Sequence, residues 1–443
     1  MGRTISREEE EQLRGGLEEA LQKPLGSFCY KTISRGTNSL VFDIKYQLKG
    51  HRNEDLAVAK WFKSEPSVGF SEPVRDSFTR LDVLFNNELR NLEYLYQVIG
   101  RALIPVVRGS SKGRRLIVME RLSGRTRKTK LLDEALKVGY DGKQRELPEG
   151  VLKIFGNTIH LLSSLVGASK AKKGQLDALA TYSQDAEFRD SRWADIFEER
   201  LLRMHHRTHG CELTGLNLLQ RLRSLQPYVH LFQETANISQ FDFQHGDFNT
   251  SQVLGEKIID FELFGKYSQG KDLATLLVVS GLKNSSGVIL SSQFQYLVDR
   301  YIVTVDAVRA EVESRGVLNR FTFKASSEVY HLSPNDMHQR ALVVLGSEEG
   351  YAHFVSGVYF HAFNELIRLS AAYDRMEKQI GTEINGDKDY FTLVQGGLVK
   401  GLETLKERLD SDRYLAMGSQ SKGKKDFFHE YYSLLRELNL VSK

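Results

Sequence analysis

The segment HGDFNTSQVLGEKIIDFE, residues 245–262, holds two aspartates, Asp247 and Asp260, thirteen positions apart, each beside an apolar, strand-forming stretch. Carboxylates flanked by apolar residues are costly to bury unless paired or bound to metal, so packing alone does not account for them. A carboxylate just after His-Gly, followed across a polar stretch and a turn by a second one, suits phosphoryl transfer. One orients an attacking hydroxyl and accepts its proton, and the other holds Mg²⁺ against nucleotide phosphates. On this reading Asp247 stands on the hydroxyl side and Asp260 on the metal side.

Such a pair needs a scaffold, and hydrophobic periodicity outlines one. Residues 1–23 form a charged helical leader, with Ser6 and Glu9 as a capping box, a break at Gly15 and Gly16 and a stop near Pro24. FCYKTIS, LVFDIKYQL and DLAVAKWF then alternate as strands. Leu81, Leu84, Phe85, Leu89, Leu92, Tyr96 and Ile99 recur at helical spacing, and ALIPVVRG and RRLIVMERL read as two more strands. The N-terminal order is therefore β-β-β-α-β-β. Beyond Gly124 the helical period dominates, with stripes over 152–166 and 193–204, then 288–314, 351–373, 390–412 and 426–439. GASKAKKGQLD at 167–177 reads as a surface loop and AMGSQSKGKK at 416–425 as a polar linker. The helical part is interrupted by the β-like segment that carries the two aspartates. The implied division is a leader (1–23), an N-lobe (24–120), a helical C-lobe (121–415), and a linker with a C-terminal helix (416–443).

HGDFNTSQVL and IIDFE resemble the catalytic and metal-binding motifs of the aminoglycoside phosphotransferase and choline kinase superfamily. The resemblance implies an α+β, bilobal protein-kinase-like fold with a small β-rich N-lobe and a large helical C-lobe. Mg²⁺ and ATP would lie in the cleft between lobes, and the γ-phosphate would pass to a hydroxyl of a small molecule. A fold of that kind needs a turn over the phosphates, a Lys on the third strand and a Glu on the next helix to hold it. GTNSLVF offers Gly36, Asn38 and Ser39 for the turn; VAK places Lys60 on the strand and NNELRNLEYL places Glu88 on the helix. The strand end VMERL would present Met119, Glu120 and Leu122 to adenine. The same resemblance gives His245 the task of orienting the loop. It has Asp272 open the next helix and brace that loop, although Asp272 is also simply a good helix N-cap. The family carries Asn five residues after its catalytic Asp as a second metal ligand; here that place is Gln252, one methylene longer, with Asn249 as another nearby amide. Two other readings follow: a protein-modifying kinase, or a pseudokinase acting as a nucleotide-binding scaffold.

Composition narrows the remaining classes. The 443 residues carry 61 basic and 57 acidic side chains, net +4, and 41 % are hydrophobic and 27 % charged, as in an ordinary globular chain. The cations are scattered, so no nucleic-acid partner is expected. Cys29 and Cys211 make no disulfide framework, which points to a reducing, cytoplasmic setting. No apolar run approaches the roughly 20 residues of a transmembrane helix, the best being LATLLVVSGL. Gly2 with Ser6 fits the loose N-myristoylation pattern, with helix capping as the plainer reading. MHHRTHGC, with His205, His206, His209 and Cys211, lacks a second cluster at zinc spacing and reads as a polar helix end. GRTRKTK, residues 124–130, reads as a solvated basic loop, and Trp193, His353 and His361 as packing residues.

Overall fold

The computed structural model describes residues 5–35, 39–62, 81–140, 146–177, 182–183, 198, 201–202, 205, 217–227, 242–278, 288–289, 291–316, 329, 331–380, 403, 405–408, 410–414, 416–417 and 421–440. Two compact units divide the chain. The first comprises residues 1–125, 254–264 and 317–319, and the second comprises 126–253, 265–316 and 320–443.

In the first unit α1 (Arg7–Leu21) is followed by β1 (Leu25–Arg35), β2 (Ser39–Leu48), β3 (Asp55–Phe62), α2 (Leu81–Val98), β4 (Val107–Ser111) and β5 (Leu116–Glu120). The strands form one antiparallel sheet in the order β1-β2-β3-β5-β4. Alternation along each strand gives the sheet two apolar faces. Phe42, Ile44, Ala57, Ala59, Leu116 and Val118 share a core with Leu13, Leu17 and Ala20 of α1. On the other face Phe62 meets Phe85 of α2 edge-on, ring centres 5.8 Å apart. The leader is thus a structural layer of the sheet. It runs unbroken through Gly15 and Gly16, because the Ser6–Glu9 capping box secures its start and its apolar stripe is buried. The approach of α1 is so close at Gly109 that a Cβ there would lie 2.0 Å from the Ala20 carbonyl oxygen.

The second unit holds α3 (Arg127–Lys137), α4 (Glu149–Ala171), α5 (Leu218–Ser224), α6 (Lys271–Val278), α7 (Phe294–Arg315), α8 (Pro334–Leu345), α9 (Glu348–Ile380) and α10 (Ser421–Glu437). It also has a small sheet ordered β6 (Tyr182–Ser183), β8 (Gly265–Tyr267), β7 (Asp242–Gln244). Helix α4 packs on α7, and α6 on α9. The chain is thus α+β, with a β-rich N-terminal unit and a helical second unit, as a protein-kinase-like fold requires.

Local expectations differ at three places. The basic run 124–130 enters α3, capped by Thr126, rather than forming a loop. Residues 167–177 continue α4 and a following helical turn instead of a loop, since Gly167 lies against α7 at the Val305 carbonyl. Helix α10 starts within the expected linker, at Ser421. Helix α4 is also long and apolar enough to cross a bilayer, which the sequence scan missed because Thr158, His160 and several serines interrupt its run. Most of its apolar window, 78 %, is buried inside the protein. Of the histidine cluster only His205 lies within the described residues, where it is buried; Trp193 lies outside them, as does most of the helical stripe at 390–412.

Candidate active site

Lys60 points from β3 toward α2, on the face opposite the α1 layer, because it alternates with Ala57 and Ala59. Its ammonium donates to Glu88 of α2 and to Asp260, and stands 3.4 Å from Glu262. One carboxylate oxygen each from Glu88, Asp260 and Glu262 lie within 4.8 Å of one another. The first unit therefore brings together three of the residues singled out from sequence, Lys60, Glu88 and Asp260, and adds Glu262.

Electrostatics follow from this crowding. Burial works against the charge on Lys60, but Asp260, Glu88 and Glu262 outweigh it and hold the ammonium well above its ordinary 10.5. Burial pushes the Glu88 carboxyl up to about 8; Lys60 opposes, while Asp260 and Glu262 add to the rise. Even with Glu88 protonated, Asp260 and Glu262 against one ammonium leave a local excess of negative charge, and hard carboxylate oxygens are the donor type Mg²⁺ prefers. Glu262 and Asp260 thus fit a divalent cation.

Asp260 adopts the left-handed region at φ 73° and ψ 56°, a conformation aspartate tolerates better than most residues. Several ties hold it. The Asn91 side chain, one turn beyond Glu88, donates to the Phe261 carbonyl at 2.9 Å. The Ile258 N–H donates to the Leu103 carbonyl at 2.9 Å, and the Lys257 ammonium to the Ile104 carbonyl at 3.2 Å and to the Glu120 carboxylate. At the strand end Glu120 also accepts from the Val106 N–H at 2.9 Å, while its own N–H donates to the Val106 carbonyl at 2.9 Å. Its side chain and N–H are thus committed to the protein. Met119 is buried in β5 and Leu122 is half-buried just past the strand; Ser39 is buried at the start of β2, and Gly36 and Asn38 lie outside the described residues.

In the second unit β7 leads into His245, Gly246 and Asp247. His245 is fully buried and meets the Phe248 ring edge-on. Asp272, also fully buried, accepts from the Gly246 N–H through both oxygens at 3.1 Å and from the Phe248 N–H at 3.5 Å. Gln244 completes the frame, accepting from the Asp272 N–H at 3.0 Å and donating to the Ser268 carbonyl at 2.7 Å. Asp247 is half-buried. Asn249 ties the turn, accepting from the Ser251 N–H at 2.9 Å and donating to the Asp247 carbonyl at 3.2 Å. Gln252 ends a single 3₁₀ turn, and its amide oxygen accepts from the Ser251 hydroxyl at 2.8 Å.

Sequence reasoning missed Glu262, Asn91, Lys257, Gln244 and Lys271 as working parts. Some signal was present: Asn91 follows Glu88 by one helical turn, and Lys257 and Glu262 flank Asp260 closely. Nothing local distinguishes Gln244.

No protein-family model matches the chain. No curated protein matches it either. Among solved structures it is similar to the streptomycin–ATP–APH(2")-IIa ternary complex at 14 % identity, covering 76 % of this chain and 99 % of that one, with a TM-score of 0.37. The gentamicin–APH(2")-IIa complex is similar at 14 % identity and the same coverage, with a TM-score of 0.38. The choline kinase of Cryptosporidium parvum Iowa II is similar at 13 % identity over 91 % of this chain and 93 % of that one, with a TM-score of 0.38.

Proposed function

We propose that the chain is an ATP-dependent phosphotransferase that moves the γ-phosphate of ATP to a hydroxyl group of a small molecule. The observation that carries this reading is the buried Lys60 ammonium, held by Glu88 and shared with Asp260 and Glu262. A lone buried lysine is rarely kept charged without such partners, and this constellation is the one a triphosphate needs. When nucleotide binds, Lys60 turns from Asp260 to the α- and β-phosphates while Glu88 keeps its side chain in place. Asp260 and Glu262 would hold Mg²⁺, which would supply charge neutralisation to the phosphates. At the strand end the carbonyl of Glu120 and the backbone of Leu122 read adenine, since the Glu120 N–H is already used.

Asp247 orients the acceptor. The acceptor's hydroxyl oxygen attacks the γ-phosphorus in line as the bond to the β,γ-bridging oxygen breaks, ADP leaves with that electron pair, and the hydroxyl proton passes to the Asp247 carboxylate. Asp272 and Gln244 keep the loop from moving during the step. The test is ATP consumption across a panel of small hydroxylated compounds. Stimulation by at least one compound, abolished by Asp247→Asn and by Asp260→Asn in folded protein, is the expected result.

One observation favours a second reading, a nucleotide-binding scaffold. Gln252 replaces the customary asparagine, and its amide oxygen is already engaged by Ser251. Mg²⁺-dependent thermal stabilisation by ATP, with no consumption and no effect of Asp247→Asn, would select that reading over the enzyme.

A further inference from the structure

Lys271 opens α6 next to Asp272 and is only 8 % exposed, an unusual place for an ammonium group. Its Nζ donates to the carbonyl of Gly246, lies 5.0 Å from the centre of the Tyr267 ring, and stands 3.7 Å from Asp272 Oδ1. Asp272 meanwhile takes the N–H of the same glycine. Two adjacent side chains at the start of one helix therefore grip both peptide units that flank Gly246, one by its N–H and the other by its carbonyl.

The second of those units contains the nitrogen of Asp247. Because a peptide unit is planar, fixing its carbonyl fixes the direction in which the Asp247 backbone departs. Gly246 sits at φ 94°, where only glycine is at ease, and glycine confers the least conformational restraint of its own. The loop needs an external tie at this point. We infer that Lys271 is a positioning residue for Asp247, locking the Gly246–Asp247 peptide through a charge-assisted bond so that the carboxylate is held ready for the acceptor hydroxyl.

A cation suits this task better than a neutral donor, since charge-assisted hydrogen bonds are shorter and about twice as strong. Its burial is offset by the Asp272 carboxylate and by the face of Tyr267. The neighbouring His361 bonds Ser268 Oγ at 2.5 Å, and burial together with the Lys271 ammonium keeps it uncharged, against the pull of Glu365. His361 therefore adds no positive charge beside Lys271.

The catalytic half of this inference rests on the phosphotransferase reading of Asp247, whereas the locking of the loop does not. Lys271→Met in the full chain is tested by two readouts: hydrogen exchange of the amides at 246–248, and steady-state turnover of Mg-ATP with water as the acceptor. Exchange is expected to rise about tenfold or more. The kcat should drop about 10- to 100-fold with KM for ATP unchanged, the signature of lost orientation rather than lost binding. Lys271→Arg should recover part of both. If Lys271→Met does not fold, Lys271→Gln takes its place and is judged in the same way. Unchanged exchange in a folded variant overturns the inference, and so does faster exchange with unchanged kcat. If the wild-type protein consumes no ATP with water or with any hydroxylated compound of the panel, the phosphotransferase reading is what fails, and exchange alone decides whether Lys271 locks the loop.

Discussion

Replacing Lys60 by Met keeps the aliphatic stem and deletes the ammonium that three carboxylates share. The Lys60 side chain is 7 % exposed, Glu88 1 %, Glu262 15 % and Asp260 36 %. Removing one partner of a buried ion pair costs about 3–5 kcal/mol, because the other is left uncompensated. Glu88 accounts for most of this, since solvent screens the share of Asp260. With Lys60 present, burial already lifts Glu88 to about 8, and without the opposing ammonium its carboxyl rises further. A folded-state pKa above the unfolded value of 4.5 means that the native form binds the proton more tightly. The contribution of Glu88 to the variant's stability is therefore full below pH 4.5 and is lost as pH rises through the folded value. The variant's deficit relative to the wild type should be small at pH 5 and grow by about 1.4 kcal/mol per pH unit as pH rises above about 8, where the wild-type Glu88 ionises, and Glu88→Gln in the same chain should recover much of it. Urea unfolding can be followed through Trp61, beside Lys60 on β3, in a Trp193→Phe background that removes the only other tryptophan. A deficit at pH 9 below about 1 kcal/mol, the level of an exposed pair, or one equally large at pH 5, would refute the picture of a desolvated cluster.

Gly109→Ala puts a Cβ against the Ala20 carbonyl and should destabilise the α1 layer by about 1–3 kcal/mol, seen as a lower urea midpoint with little change in catalysis. Burial first, then the Lys271 ammonium, lower His361 from 6.5 to about 3, so the unfolded chain takes up a proton that the native protein refuses. Stability from this source is full above pH 6.5 and lost as pH falls toward 3, and His361→Gln should flatten that loss in thermal unfolding at pH 7, 5 and 4 by up to about 1.4 kcal/mol per pH unit. Glu262→Gln should raise the Mg²⁺ concentration needed for stabilisation by ATP roughly tenfold or more, with the fold intact; an unchanged Mg²⁺ requirement would remove Glu262 from the metal set.

Local chemistry in the sequence determined which segments became strands and helices around the site. The alternation of DLAVAKWF placed Lys60 opposite Ala57 and Ala59, the helical stripe around Glu88 defined α2, and the Ser6–Glu9 capping box began α1. Each of these depends on neighbours a few residues away, so periodicity could reveal it. Tertiary structure decided what lies far apart in the chain: that Glu262 joins Lys60, that Asn91 and Lys257 hold the turn at Asp260, and that Gln244 and Lys271 tie the loop before Asp247. It also made the leader one unbroken helix packed on the sheet, and residues 167–177 helix rather than loop. Hydrogen bonds and ion pairs between distant residues leave no periodic trace, because a buried polar side chain is retained only for the partner that the fold brings to it.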